Sequence, residues 1–192
     1  MRKLIAFMQT TIDGYFASPT GEMNWAHRNT GDREWKDFVE GNASGGGELV
    51  FGRKTYEMMV QYWPTPQAAE RSPLVAERMN ALPKIVFSRT LERASWRNTR
   101  LVKGDLIAET RKLKTMDGPG MAILGSGSIV AQLAEAGLID EFQIVVNPLA
   151  LGGGQSLFGG VGHRLPMRLM QTQSFANGNV LLRYAGAAVE RP

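Results

Sequence analysis

The sequence predicts a three-layer α/β/α domain whose mixed, mostly parallel sheet ends in an antiparallel hairpin. Near-continuous apolar runs, such as Ile85-Val86-Phe87 and Ala122-Ile123-Leu124, suit strands that are covered on both faces. Helical patterns alternate with these runs, which is typical of α/β domains. Near the end of the chain, two strand patterns are separated by Ala176-Asn177-Gly178, and Asn-Gly between strands favours a hairpin.

The composition is that of an ordinary globular domain. Of the 192 residues, 43% are hydrophobic and 21% are charged, so we expect one domain spanning residues 1–192. The chain has no cysteine, and His27 and His163 stand alone, so we predict no metal site. No apolar run approaches the ~20 residues that span a bilayer. The short apolar run near Met1 predicts a first strand rather than a signal peptide, and we expect a cytoplasmic protein.

The net charge of +4 allows more than one interpretation. Basic residues are scattered, apart from local pairs such as Arg53-Lys54, and no dense basic block with interleaved aromatics is present. A mild positive field would attract an anionic cofactor, and a solvated surface with a slight basic excess would give the same charge. Nucleic-acid binding is the weaker alternative, and we expect neither a nucleic-acid nor a membrane partner.

The elements are predicted in chain order from these patterns. Asp105 can cap a helix that runs to about Thr115, and Ser126 or Ser128 can cap a helix that ends at Gly137. A long loop is expected at 148–165, and loops of that length are often functional. Two further helices are predicted at 32–42 and 74–82. Strands are predicted at 3–9, 48–52, 84–88, 100–103, 121–125, 140–147, 166–174 and 179–185.

Two stretches place a glycine-containing turn between an apolar run and the expected start of a helix. In the first, Leu49-Val50-Phe51 leads into Gly52-Arg53-Lys54-Thr55. In the second, Met121-Ala122-Ile123-Leu124 leads into Gly125-Ser126-Gly127-Ser128. Glycine lets the backbone approach a phosphate, and the start of a helix offers free N–H groups. Two such turns in a small domain predict a ligand with several phosphates, such as a dinucleotide.

Five motifs follow one another in a specific order and spacing. They are Thr11-Ile12-Asp13-Gly14-Tyr15, Phe51-Gly52-Arg53-Lys54-Thr55-Tyr56-Glu57, Val86-Phe87-Ser88-Arg89, Leu124-Gly125-Ser126-Gly127-Ser128, and Leu138-Ile139-Asp140-Glu141 leading into Pro148-Leu149-Ala150-Leu151-Gly152. Together they resemble the dihydrofolate reductase-like superfamily. The resemblance is closest to the reductase domain that forms the C-terminal half of bifunctional riboflavin-biosynthesis enzymes, and to its stand-alone bacterial members. It covers nearly the whole chain.

The resemblance implies a reductase that uses NADPH. Ser88 and Arg89 would bind the adenosine 2′-phosphate, which suits a hydroxyl and a guanidinium. Lys103 would line the adenine, and Ala6 and the turn at Gly14 would lie near the nicotinamide. The phosphate groups of the cofactor would be held by Gly52, Arg53, Lys54, Thr55, Gly125, Ser126, Gly127 and Ser128.

The proton donor is less well defined than the cofactor site. Dihydrofolate reductases use one carboxylate on the first helix, where this chain offers Asp32, Glu34 and Asp37. Glu34 shares a helix face with Phe38, and an acid beside an aromatic wall would suit a flat heterocycle. Asp37 is the other candidate, and all three carboxylates can also be solvated surface charges. The segment from Met23 to Trp25 resembles the mobile loop of these enzymes, with Asn24 in place of a proline.

The substrate remains open at this stage. The resemblance implies a small heterocycle, either a pterin or dihydrofolate, or the phosphoribosylated aminopyrimidine 5-amino-6-(5-phosphoribosylamino)uracil. The ribose phosphate would need a basic pocket, for which Arg28, Arg33 and Arg164 are candidates. Without cysteine, the zinc deaminase domain of the bifunctional enzymes is not expected within this chain. The alternatives are a nucleotide-binding module without turnover and, more weakly, a nucleic-acid binder; the family implies a homodimer.

Overall fold

The computed structural model describes residues 1–27 and 31–186. Ten strands, six α-helices and one 3₁₀ helix, Asn24–His27, make up this part of the chain. The strands are β1 Leu4–Thr11, β2 Tyr15–Ala17, β3 Glu48–Gly52, β4 Lys84–Phe87, β5 Thr99–Val102, β6 Met121–Leu124, β7 Glu141–Asn147, β8 Gln155–Ser156, β9 Met167–Ser174 and β10 Val180–Gly186. The helices are α1 Arg33–Ser44, α2 Arg53–Tyr62, α3 Pro66–Arg71, α4 Pro73–Ala81, α5 Leu106–Thr115 and α6 Gly127–Glu135.

Eight of the strands form one mixed sheet in the order β5-β4-β3-β6-β1-β7-β10-β9. All pairs from β5 to β7 are parallel, and β10 is antiparallel to both β7 and β9. The remaining strands, β2 and β8, pair with each other in a small separate ribbon. The predicted fold class is therefore confirmed, including the antiparallel hairpin at residues 167–186.

Helices cover both faces of the sheet because alternate strand residues point to opposite sides. On one face, Leu4 and Met8 of β1 pack in a core cluster with Leu113 of α5 and Leu133 of α6. On the other face, α2 and α4 bury Tyr56, Val75 and Met79 against Leu49 and Phe51 of β3. Helix α1 adds Trp35 and Phe38, which pack against Phe7, Val145 and Phe175.

The short elements and several boundaries differ from the sequence-based expectation. The prediction did not include α3, β2, β8 or the 3₁₀ helix, each of which is too short to carry a periodic pattern. The capping role of Asp105 is confirmed, since its carboxylate accepts the Ala108 N–H at 2.9 Å. Ser126 takes the N-cap position of α6, but its side chain makes no capping hydrogen bond there. Its hydroxyl is used elsewhere, across the sheet.

Buried charges lie at the amino-terminal edge of the parallel strands. Arg2 pairs with Glu48 at 2.7 Å, and Lys114 pairs with Asp140, which also accepts the Leu4 N–H. Lys84 is buried and donates to three backbone carbonyls, and this burial lowers its pKa to about 8. These pairs hold the strand starts together. The opposite edge, where the parallel strands end, carries the predicted cofactor residues.

Candidate functional site

The carboxyl edge of the parallel sheet brings most of the predicted site residues together. Ligands of open α/β sheets bind at this edge, where strand ends feed helix starts. Ala6 is an exception, since it lies inside β1 and is fully buried in the core. In the order of the strands, the edge carries Lys103 after β5, Ser88 and Arg89 after β4, Gly52 to Thr55 at the end of β3, Gly125 to Ser128 after β6, and Gly14 after β1.

The two glycine-containing turns touch each other. Strands β3 and β6 are neighbours in the sheet, so the turns that follow them are adjacent. The Gly52 N–H donates to Ser126 Oγ at 2.8 Å. Gly125 has a φ of +61°, and a Cβ at this position would lie 3.2 Å from Thr55 Cγ2 in the first turn of α2. The two turns therefore form one contact surface built from both helix starts.

Helices α2 and α6 both begin at this edge, and neither has a side-chain hydrogen bond that caps its first turn. Elsewhere in the described chain, Asp32, Thr65 and Asp105 cap α1, α3 and α5, whereas α2 and α6 have no such hydrogen bond, and neither has α4. The N–H groups at the start of α2 and those of Gly127 and Ser128 in α6 are therefore available to an anion, whereas the Ile129 N–H donates to the Ser126 carbonyl at 2.9 Å. The helix dipoles favour negative charge at both helix starts. This donor set fits the pyrophosphate of a dinucleotide.

Three cations stand at the ends of three adjacent strands. Lys54, Arg89 and Lys103 are exposed, and none has an ion-pair partner among residues 1–27 and 31–186. Arg53 differs, because its guanidinium lies 3.2 Å from Glu57 in the next turn of α2. Ser88 Oγ accepts the Leu91 N–H at 2.9 Å and the Thr90 N–H at 3.2 Å, and it lies 3.5 Å from Thr90 Oγ1. The hydroxyl hydrogen can therefore be donated either to Thr90 or to a ligand. A hydroxyl beside free cations suits a phosphate dianion.

Position 127 requires a glycine because a neighbouring side chain leaves no room for a Cβ. A Cβ at this position would lie 2.2 Å from Phe16 Cε1, because the Phe16 ring packs against the start of α6. Phe16 lies in β2, which pairs with β8, and it also packs on the core cluster beneath α6. The small β2–β8 ribbon is thereby attached to the helix start that the prediction assigns to pyrophosphate.

Asp13 joins the turn after β1 to the loop after β7, and the sequence analysis did not identify this role. Its carboxylate accepts hydrogen bonds from Thr11 Oγ1 at 2.5 Å, from the Leu151 N–H at 3.0 Å and from the Gly152 N–H at 2.8 Å. The bond from Thr11, followed by those from the two backbone N–H groups, holds the Asp13 pKa below its usual value. The neighbouring Ile12 is 69% exposed, which leaves an apolar side chain at the nicotinamide end of the predicted site.

The three carboxylates of the first helix have different surroundings. Asp32 caps α1 by accepting the Trp35 N–H and also accepts the Asn177 N–H of the hairpin turn. These backbone bonds, with that from Trp35 the largest cause, lower the Asp32 pKa. Glu34 is exposed and accepts a hydrogen bond from Gln173 Nε2 of β9 at 3.2 Å. Asp37 is exposed and lies 3.9 Å from Arg33.

The segment that resembles a mobile loop contains a buried donor without a partner. Trp25 is buried in the 3₁₀ helix, and its indole N–H has no acceptor in the part of the chain that the structure describes. A buried donor of this kind is costly unless a water or ligand oxygen accepts it.

The other candidate residues, which are the histidines and the arginines considered for a ribose phosphate, do not form a second site in the described residues. His163 lies 3.9 Å from Glu135, Arg164 is exposed, and Arg28 lies outside the described residues. In the described ranges, no group of three or more His, Cys, Asp or Glu residues could hold a metal ion. Across the same ranges, every helix is too short or too polar to traverse a lipid bilayer.

The fold and the arrangement of its carboxyl edge define a dihydrofolate reductase-like α/β protein. Residues 2–181 match the family model of the RibD C-terminal domain, and the chain belongs to that family. Family membership supports an oxidoreductase role. Two uncharacterized proteins of Bacillus subtilis are similar along nearly their whole length. YyaP is 26% identical over 183 residues, with 95% of this chain and 94% of YyaP covered, and YwjB is 25% identical over 188 residues, with 97% and 99% covered.

Solved structures share the fold at low identity. A protein from Shewanella sp. PV-4, whose name refers to riboflavin biosynthesis, is 24% identical, with a TM-score of 0.74 over 96% of this chain and 99% of that one. A pyrimidine reductase-like protein from Corynebacterium diphtheriae is 14% identical, with a TM-score of 0.65 and coverage of 97% and 92%. A bifunctional deaminase and 5-amino-6-(5-phosphoribosylamino)uracil reductase from Thermotoga maritima is 14% identical, with a TM-score of 0.67 over 97% of this chain and 57% of the longer enzyme.

Proposed function

We propose that this protein is an NADPH-dependent reductase of a small heterocycle, with a reductase-like role in riboflavin biosynthesis. The observation that carries the proposal is the pair of adjacent helix starts without side-chain caps at the carboxyl edge, flanked by three cations that have no ion-pair partner among the described residues. Membership of the RibD C-terminal domain family supports it, as does the fold shared with proteins whose names refer to riboflavin biosynthesis and to a pyrimidine reductase-like protein.

Different residues at the carboxyl edge would bind different parts of NADPH. The N–H groups at the starts of α2 and α6 would bind the pyrophosphate, and Thr55 and Ser128 would add hydroxyl donors. Arg89, with Ser88 beside it and Lys103 on the next strand, would bind the 2′-phosphate, because a guanidinium can bind phosphate through two parallel hydrogen bonds. The turn that contains Ile12 and Gly14 would lie against the nicotinamide.

The reaction needs few protein groups. NADPH supplies a hydride to a C=N or C=O carbon of the substrate when it is bound. The chain positions cofactor and substrate and excludes water from the contact between them, which lowers the entropic part of the barrier. A proton must then reach the substrate heteroatom, from Glu34 at the start of α1 or from water.

A nucleotide-binding module without turnover is the second candidate. It is favoured by the exposure of Glu34 and Asp37, because both carboxylates face solvent rather than an enclosed pocket that would hold a substrate against a proton donor. The two candidates make different demands on the same pocket. A reductase must also bind a heterocycle next to the nicotinamide, whereas a binding module requires the cofactor site alone.

Purified protein should be titrated with NADPH and then incubated with pterin, dihydrofolate and aminopyrimidine substrates while nicotinamide absorbance is recorded. We expect saturable NADPH binding and substrate-dependent oxidation. Binding without oxidation by any of these substrates would favour the binding module. The absence of NADPH binding would reject both candidates.

Substitution of the acids tests the source of the proton. If Glu34 donates it, Glu34→Gln should lower kcat roughly 10²- to 10⁴-fold with NADPH affinity unchanged. Asp37→Asn is the matched control on the same exposed part of α1 and should leave kcat unchanged. If the two variants exchange behaviour, Asp37 is the donor. If both retain full activity, the proton comes from water or from the substrate.

A further inference from the structure

A cavity of about 380 Å³ lies at the amino-terminal edge of the sheet, at the opposite end from the turns proposed to bind the cofactor. Three of its lining residues mark this edge: Trp63 follows α2, Asn80 lies in the last turn of α4, and Arg97 precedes β5. The rest of the wall is largely apolar and includes Pro66 and Pro73. The volume is in the range of pockets that hold small molecules.

Hydrogen bonds fix the wall of this cavity. The Asn80 amide nitrogen donates to the carbonyls of Trp63 and Ala76, both at 2.8 Å. The Asn80 amide oxygen accepts the indole N–H of Trp96 at 2.8 Å. The indole N–H of Trp63 donates to Met59 Sδ at 3.0 Å, which holds the Trp63 ring in place. A ligand that packs on this wall therefore orders few side chains, which lowers the entropic cost of binding.

Two opposite charges line the cavity without pairing with each other. Arg97 Nε donates to the Asn80 carbonyl at 2.9 Å, which orients the guanidinium. Glu77 lies one turn before Asn80 on α4. Neither Glu77 nor Arg97 has an ion-pair partner among residues 1–27 and 31–186. A ligand that carries both charges can pair with both side chains, whereas a simple anion or a simple cation would be repelled by one of them.

A second cation lies behind Arg97. Lys84 is 1% exposed, and its ammonium lies 4.5 Å from the centroid of the Trp96 ring. The ammonium donates to three backbone carbonyls, and no carboxylate pairs with it in the described part of the chain. Burial, followed by the charge of Arg97, lowers the Lys84 pKa to about 8. Positive charge is therefore in excess here, and an anionic group bound at Arg97 would offset it.

We propose that this cavity binds a small zwitterion with an apolar body, of the class of apolar α-amino acids. The ligand carboxylate pairs with Arg97, the ligand ammonium pairs with Glu77, and the apolar side chain packs against Trp63. The carboxylate and the ammonium of an α-amino acid are attached to the same carbon, so one small molecule contacts both charges of the wall. The site is separate from the carboxyl edge of the sheet, and NADPH is not needed to form it.

The test uses L-phenylalanine and L-leucine as probes, and NMR of the isotope-labelled protein follows their binding. Phenylpropionate, which lacks the ammonium of phenylalanine, and phenylethylamine, which lacks its carboxylate, are the matched probes. The two amino acids should bind saturably, and each matched probe should bind roughly three- to tenfold more weakly than L-phenylalanine. A carboxylate at Arg97 should also raise the Lys84 pKa above about 8, which the chemical shifts next to its ammonium report.

Two substitutions assign the charges of the ligand to their partners. Arg97→Gln should weaken L-phenylalanine binding roughly three- to tenfold, bind phenylethylamine as well as phenylalanine, and abolish the effect of the ligand on the Lys84 pKa. Glu77→Gln should weaken L-phenylalanine binding to a similar extent and bind phenylpropionate as well as phenylalanine. Arg78→Gln is the matched control, because Arg78 is an exposed arginine of α4 outside the cavity wall, and it should change nothing.

Four results would overturn the proposal. They are no saturable binding of either amino acid, equal affinities of the unaltered protein for phenylalanine and its two matched probes, unchanged L-phenylalanine affinity in both variants, and displacement of L-phenylalanine by NADPH. The last result would place the amino acid at the carboxyl edge instead. Because none of these measurements requires turnover, failure of the protein to reduce a heterocycle would leave the cavity assignment intact.

Discussion

Single residues at the carboxyl edge fall into two groups according to what their charge contacts. The carboxylates of Asp13 and Asp32 accept hydrogen bonds from backbone N–H groups of distant loops, so these two charges stabilise the positions of those loops. The cations of Lys54, Arg89 and Lys103 have no ion-pair partner in the described chain. An exposed cation loses little by lacking a partner, but three of them on consecutive strand ends create a local positive potential. This division supports an anionic ligand at the edge.

The first residue-scale prediction concerns Arg89. If its guanidinium binds the 2′-phosphate, the unaltered protein should bind NADPH about ten- to a hundredfold more tightly than NADH, since a hydrogen bond to a charged group contributes roughly 1.5–3 kcal/mol. Arg89→Ala should remove most of that preference in a calorimetric titration. Arg71→Ala, which alters an exposed arginine of α3, should preserve it. Equal affinities for the two cofactors in the unaltered protein would contradict the assignment.

The second residue-scale prediction concerns Asp13 and pH. Its folded-state pKa lies below the ordinary value of 3.8, so the carboxylate stays ionised to lower pH than in the unfolded chain. The stabilisation is therefore complete above that ordinary value and is lost as pH falls through the lower, folded pKa. The amide chemical shifts of Leu151 and Gly152 should report this loss.

Asp13→Asn should weaken the hydrogen bonds of the same two amides already at neutral pH, because asparagine keeps one acceptor oxygen but carries no negative charge. Asp117→Asn, an exposed aspartate outside the helices and strands, is the matched control. Unchanged amide shifts in Asp13→Asn would show that the loop is held by its own backbone contacts.

The role of Asp13 shows which site residues a sequence can reveal. The turn at Gly14 was expected from the family resemblance of the motif at residues 11–15, and Gly14 takes a positive φ of +82°. The hydrogen bonds that Asp13 accepts from the Leu151 and Gly152 N–H groups span 138 and 139 positions of sequence. Neither local pattern nor spacing encodes such a contact, which depends on how β1 and β7 pair. The contact between Phe16 and Gly127 likewise depends on tertiary structure and could not be predicted from local sequence.

At the scale of elements, the positions of strands and helices were predicted from apolar runs and helix-capping residues. The eight strands of the main sheet were predicted to within two residues at each end, because their apolar runs end at glycine or polar residues. The missed elements, α3, β2 and β8, have two to six residues and depend on tertiary contacts. Helix α1 runs two residues beyond the predicted end, since Gly41 and Asn42 do not stop a helix that packs on a sheet.

An element-scale prediction concerns the packing of β2 on α6. In Gly127→Ala, the new Cβ would lie 2.2 Å from the Phe16 ring, so the β2–β8 ribbon must shift. We expect a loss of about 1–3 kcal/mol in the free energy of unfolding, as for overpacked cores. Gly41→Ala is the control, because a Cβ there meets nothing within 4 Å, and alanine should stabilise α1 by roughly 0.5–1 kcal/mol. Chemical denaturation measures both, and an equal gain in the two variants would contradict the packing role.

At the scale of the whole molecule, the two edge strands of the main sheet, β5 and β9, differ in length and exposure. At one end, β5 has four residues, whereas β9 at the other end has eight and is exposed on both faces. Leu169 is 50% exposed and Met170 is 42% exposed on this outer strand. A long edge strand with apolar side chains is a surface on which another chain can pair. A second copy can do so by a two-fold axis, with β9 antiparallel to itself.

We therefore predict a symmetric homodimer that uses β9. In Met170→Lys, the new charge is present twice near the axis, so the dimer should dissociate while the fold, measured by circular dichroism, is unchanged. Met116→Lys is the matched control, since Met116 is 52% exposed after α5 and far along the chain from β9. Light scattering that shows a dimer for the unaltered protein and for Met116→Lys, and a monomer for Met170→Lys, is the expected result. A monomer in all three would refute the homodimer, and a dimer in all three would place the interface on another surface.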